Sequence, residues 1–232
     1  MMKFVFQPLV DLQRHALAGF EALARFRDGR TPQAHFNEAR LAGSLVDLEL
    51  RALNQILAAS HAIPDGLLLT MNASGPAIDA FAKQRPELDP RLAWGLELHE
   101  LSAPELCGRA RISADELGCL LLVDDAGIGY ATLERITMLK PHIVKLDRSL
   151  FIHYQSSAAA HEHVDLLLAA ARGINAQTLV EGVETAQHLA LARDLGFDYA
   201  QGFYFSPGLA PQQLPEAMAG LRRRLGIDIP GF

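Results

Sequence analysis

The feature that most constrains this chain is an alternation, sustained from end to end, of short strand-like apolar runs with stretches of helical spacing. The candidate strands are Phe4–Leu9, Leu17–Ala24, Leu67–Asn72, Leu92–Leu98, Cys119–Val123, Ile143–Leu146, Thr178–Glu181 and Gln201–Phe205. Between them, Leu45 to Ala58, Glu105 to Leu117, Ala158 to Ala171 and Ala186 to Leu195 carry the apolar spacing of amphipathic crossover helices. Helix punctuation agrees: Ser102 stands before Ala103-Pro104, Thr185 before Ala186, and Gly196 just past Leu195. Runs such as Leu120-Leu121-Leu122-Val123 are apolar without alternation, as expected of strands covered on both faces. Eight strands with helical crossovers predict an α/β fold closed as a TIM-like (β/α)8 barrel, one version of which has its first strand antiparallel. A doubly wound open sheet is the alternative.

The 232 residues suit one such domain, and no linker, low-complexity tract or short repeat divides residues 1–232. A chain of this size buries roughly 70% of its unfolded surface and needs no covalent staple. Its two cysteines, Cys107 and Cys119, have no ligand-like spacing and read as reduced thiols of a cytoplasmic protein. With 21 Lys and Arg against 27 Asp and Glu, the net charge of -6 argues against a nucleic-acid polymer as partner. No apolar run of about 18 residues is present, so no direct membrane contact is expected from this domain.

Several candidate strands end on an acid, an amide or a lysine: Glu21, Asn72, Glu97 and Glu100, Asp124 and Asp125, Lys145 and Asp147, Glu181 and Gln201. One such residue means little. In a parallel barrel, however, these ends meet at one face, where barrel enzymes place their chemistry. Carboxylates crowded there would raise one another's pKa values unless a cation compensated them. Oxygen donors without Cys or His suit Mg²⁺ or Mn²⁺ rather than Zn²⁺. Adjacent Asp124 and Asp125 could each reach one of two metals, and Lys145 could orient water or neutralise charge on phosphate oxygens.

Read in order, these residues resemble a known family. Phe6-Gln7-Pro8-Leu9 and Glu21-Ala22-Leu23-Ala24-Arg25 are followed by Met71-Asn72 and Glu97-Leu98-His99-Glu100. Asp124-Asp125-Ala126-Gly127-Ile128-Gly129, Lys145-Leu146-Asp147, Glu181-Gly182-Val183-Glu184-Thr185 and Gln201-Gly202-Phe203 complete the set. Along nearly its whole length the chain is similar to the EAL-domain phosphodiesterases of bacterial cyclic di-GMP signalling. The resemblance implies hydrolysis of cyclic di-GMP to linear pGpG with two divalent cations, Mg²⁺ or Mn²⁺. It implies Glu21, Asn72, Glu97, Asp124 and Glu181 at or near the first metal, with Asp125 and Asp147 at the second. Lys145 would hold the attacking water, and Gln201 would contact it or the substrate. Gln7, Leu23 and Arg25 would contact substrate, Arg25 through a phosphate oxygen. Glu100 would anchor the loop after Asp125, Glu184 would line the site, and a homodimer is the expected assembly.

The loop departs from the family's common form at Ala126, Ile128 and Ala131-Thr132, and His99 departs within the Glu97–Glu100 motif. The stretch from Arg25 to Leu45 is short and lacks the usual Phe-Ile-Pro. Three functions stay open: an active phosphodiesterase, a silent cyclic di-GMP receptor signalling through a partner, and a two-metal phosphohydrolase acting on another nucleotide. Retention of Glu21, Asp124, Asp125, Lys145 and Glu181 points to the first. His161-Glu162-His163 lacks a further ligand at helical offset and reads as an exposed helix start, Leu221-Arg222-Arg223-Arg224 as a solvated helix end, and Trp94 and Phe20 as core.

Overall fold

The structure is a computed structural model describing residues 2–98, 104–126 and 130–230. Side chains are described at those positions except 104–108, 125, 126 and 130–132. The strands are β1 (Met2–Asp11), β2 (Ala16–Phe26), β3 (Leu68–Ala73), β4 (Ala93–Leu98), β5 (Leu120–Ala126), β6 (Ile143–Leu146), β7 (Gln177–Val180) and β8 (Tyr199–Ala200). They close in sequence order into an eight-stranded barrel. The helices are α1 (Pro32–Leu41), α2 (Leu45–Ala59), α3 (Gly75–Gln84), α4 (Pro104–Glu116), α5 (Tyr130–Leu139), α6 (Arg148–His153), α7 (Ala158–Gly173), α8 (Ala186–Asp194) and α9 (Leu214–Leu225).

The sheet is mixed in one place. β1 runs antiparallel to both β2 and β8, while every pairing from β2 round to β8 is parallel. β1 and β2 therefore form a hairpin with ten residue pairs, in which Gln7 faces Glu21. β8 has two residues, and it meets β1 only at Val10↔Ala200 and Asp11↔Tyr199.

Because successive side chains of a strand point to opposite faces, each strand supplies two cores. Leu9, Leu68, Leu122, Ile143 and Leu179 pack together inside the barrel. Their neighbours Val10, Leu69, Leu121, Val144 and Val180 belong to the larger layer beneath the helices. Two residues beyond the inner plug, the same inward set continues as Asn72 via Thr70, Asp124, Lys145 and Glu181. Strand periodicity thus carries polar groups onto the barrel mouth while neighbours such as Met71, Val123, Val144 and Val180 stay apolar. Trp94 and Phe20 are core residues as expected, and the Trp94 indole N–H donates to the Asp89 carbonyl.

One expected strand is corrected. Gln201–Phe205 lies in turns rather than in a strand, which ends at Ala200. Gly202 packs so closely on the Val183 backbone that no Cβ would fit there. The Phe205 and Ser206 amides both turn back to the Gly202 carbonyl, which ends strand pairing. Thr185 caps α8 through the His188 amide, as its position predicted, whereas the expected cap Ser102 lies outside the described residues. No helix among the described residues is long and apolar enough to cross a membrane.

Candidate active site

At the mouth, four carboxylates surround one buried ammonium. Lys145 Nζ lies 2.5 Å from Glu97 Oε2, 2.8 Å from Glu181 Oε1, 3.1 Å from Asp124 Oδ1 and 3.7 Å from Glu21 Oε2. These side chains come from β2, β4, β5, β6 and the residue following β7, so only barrel closure brings them together. Glu21 is held at both oxygens: Asn72 Nδ2 donates to Oε1 at 2.9 Å and Gln201 Nε2 donates to Oε2 at 2.8 Å. Gln201 Nε2 also donates to Gln7 Oε1 at 3.2 Å, which ties the reversed strand β1 to the site.

The electrostatics are unbalanced. Four formal negative charges face one positive charge, and two like charges 4 Å apart repel by about 4 kcal/mol even at an effective dielectric constant of 20. Burial, then Glu21 and Asp124, push the Glu97 carboxyl well above its usual range against the pull of Lys145. Burial, with Asp124 and Glu21, pushes Glu181 up to about 7, again opposed by Lys145. Burial works to lower the Lys145 pKa, but Asp124, Glu181, Glu21 and Glu97 outweigh it and hold the ammonium charged. Glu97 Oε1 and Gln201 Oε1 are buried with no donor from the described residues.

Above this floor opens a cavity of about 610 Å³ whose lining includes Gln7, Glu21, Leu23, Arg25, Asn72, Asp124, Glu181, Glu184 and Gln201. Arg25 is exposed at the rim, its Nη1 donating to the Ala24 carbonyl at 2.7 Å. Glu184 is paired with Arg148, whose Nη2 lies 2.7 Å from Oε1. The Asp147 carboxylate caps α6, with Oδ1 accepting from the Ser149 amide at 2.8 Å. The Asp125 side chain, Glu100, His99 and Gly127-Ile128-Gly129 lie outside the described residues, and Ala126 and Ala131-Thr132 are described in their backbone alone. His161 sits exposed near the start of α7 within 3.3 Å of Asp165, in keeping with a solvated helix start.

Among the cavity-lining residues that sequence reasoning overlooked are Gln33, Phe36 and Arg40 of α1, Glu49 of α2 and Arg148 of α6. Signals existed. Thr31-Pro32 is a cap followed by proline, and the Thr31 hydroxyl accepts from the Ala34 amide. Glu49 is an acid on the buried stripe that also carries Ala52, Leu53 and Ile56.

Residues 1–208 match the EAL domain family, and the chain belongs to it. It is 27% identical over 232 residues to the cyclic di-GMP phosphodiesterase RocR of Pseudomonas aeruginosa, covering 93% of this chain and 59% of that protein. It is 27% identical over 244 residues to the oxygen sensor protein DosP of Escherichia coli, covering 95% of this chain and 30% of that protein. The chain therefore spans less than two thirds of either relative. The calcium/cyclic di-GMP complex of Klebsiella pneumoniae BlrP1 superposes with a TM-score of 0.76 at 23% identity, covering 90% of this chain and 56% of that one. At that identity the likeness shows the shared barrel fold.

Proposed function

We propose that this domain hydrolyses cyclic di-GMP to linear pGpG with the help of divalent cations. The observation that carries the reading is the convergence of Glu21, Glu97, Asp124 and Glu181 within 3.7 Å of one buried lysine at the barrel mouth. Family membership and a curated cyclic di-GMP phosphodiesterase relative support the choice of substrate.

The donor set suits Mg²⁺ or Mn²⁺. It is all oxygen, it carries excess negative charge, and buried Glu97 Oε1 and Gln201 Oε1 have no donor among the described residues. Among the described residues no three acids or imidazoles already form a metal cage. Glu21, Asn72, Glu97, Asp124 and Glu181 would hold one cation, and Asp125 and Asp147 a second. Bound there, the cations would supply charge neutralisation and a more acidic water.

The chain's own groups do the rest. Arg25 at the rim donates to a phosphate oxygen, and Gln7 and Leu23 flank the substrate. Lys145 orients water and offsets charge gathering on the phosphate oxygens. The water oxygen forms a bond to phosphorus as the bond to the 3′ oxygen breaks, and the departing oxygen takes up a proton. A homodimer is the expected assembly, and sedimentation would check it.

The test is product analysis after mixing the protein with cyclic di-GMP in Mg²⁺, in Mn²⁺ and in chelator. Metal-dependent pGpG is the expected outcome. Tight binding without product would replace this reading with the receptor.

A further inference from the structure

Glu49 is 2% exposed in the middle of α2, a position where an apolar side chain would cost far less to bury. Both its oxygens are engaged by one residue. Oε1 accepts from the Ser74 amide at 3.1 Å and Oε2 accepts from the Ser74 hydroxyl at 2.5 Å. Ser74 is the N-cap residue of α3, yet its side chain makes no capping bond to that helix. A serine at this place ordinarily accepts from an amide of the helix's first turn. Here the hydroxyl is committed as a donor to the neighbouring helix.

The consequence falls two residues upstream. Ser74 follows Asn72-Ala73 directly, and Asn72 Nδ2 donates to Glu21 Oε1. That bond fixes which end of the amide faces Glu21, and so which way the oxygen points. Ala73 is fully buried, so the two-residue link has little room to absorb a shift. We propose that Glu49 is a positioning residue: by gripping Ser74 it fixes the end of β3 so that the Asn72 amide keeps its donor on Glu21 and its oxygen free for a cation. The inference rests on the reading of Asn72 as a metal ligand, and it asks for a hydrogen-bond acceptor in α2 that packing alone does not.

The test uses the metal-free protein first. In ¹⁵N-labelled protein the Asn72 side-chain amide is assigned by its loss in Asn72→Asp. In Glu49→Leu that resonance is expected to shift and to exchange with water about tenfold faster. In Glu49→Gln, whose amide oxygen still accepts from the Ser74 N–H, it is expected to stay close to wild type. Calorimetry with Mn²⁺ is expected to show about tenfold weaker binding by Glu49→Leu. Ser74→Ala, which removes only the hydroxyl donor, is expected to show the same changes to a smaller degree and serves if Glu49→Leu does not fold. An Asn72 resonance unmoved in both variants would overturn the inference. A wild type that binds no Mn²⁺ would overturn the metal reading instead, leaving the resonance to decide the role of Glu49.

Discussion

Lys145 Nζ stands 2.5 Å from Glu97 Oε2, and neither side chain is more than 1% exposed. The lysine is the counter-ion on which the mouth of the barrel is assembled, and Glu97 is the acid most dependent on it. Removing one partner of a buried pair leaves an uncompensated charge and costs about 3–5 kcal/mol. Lys145→Met is therefore expected to lower the thermal midpoint of metal-free protein markedly. Added Mn²⁺ should recover more of the loss in the variant than it adds to wild type, because the acids then lack any other cation. Thermal scans of both proteins with Mn²⁺ and with chelator check this.

Glu21 takes donors from Asn72 and Gln201 at the same time. Glu21→Ala frees both amides as well as removing a carboxylate, so pGpG formation should fall by more than about 100-fold. Far-ultraviolet circular dichroism should be unchanged. Turnover within a few-fold of wild type would show that the site has been misread.

Burial pushes the Cys119 thiol from an ordinary 9.0 up to about 12. The thiolate is the reactive form, so the folded protein presents about a thousandfold less of it at a given pH below both values. Peptide-resolved mass spectrometry after iodoacetamide treatment at pH 8 should find Cys119 nearly unlabelled in native protein and fully labelled in urea. Rapid native labelling would contradict the packing around β5.

His142 answers the Leu121 strand at two points. Its amide donates to the Leu121 carbonyl at 2.8 Å, and its Nδ1 accepts from the Leu121 amide at 2.9 Å. An accepting Nδ1 requires the neutral ring, and burial, then Arg111, lower the pKa, with Asp115 opposing. A lowered folded value means that the stabilisation is complete above the unfolded pKa, about 6.5, and is lost as pH falls towards the folded one. The thermal midpoint should drop on acidification from pH 7, and His142→Asn should flatten that slope. Identical pH profiles for the two proteins would dismiss the role.

The fold was legible where periodicity is strong. Unalternating runs such as Leu120–Val123 announced strands covered on both faces, and the ordered acids announced their mouth. What escaped was local. β8 was misplaced because Gln201–Phe205 has strand-like composition, whereas a backbone contact at Gly202 decides its course. The short α1 offers no buried residue, so it leaves little periodic trace, and its cavity-lining side chains went unseen. The grip of Glu49 on Ser74 joins two elements that no spacing rule connects.

The reversed first strand has a kinetic side. β1 and β2 form a long hairpin between near neighbours in the chain, a step that takes about 1–10 μs in isolated hairpins. The seam that completes the cylinder joins Val10 to Ala200 and Asp11 to Tyr199, residues separated by nearly the whole polypeptide. Closing so large a loop for two residue pairs places that event late on the folding route, after the parallel staves are laid down. Gln201 follows the last of those pairs directly. The amide that braces Glu21 is thus among the final pieces set, so recovery of activity on refolding should trail recovery of helix.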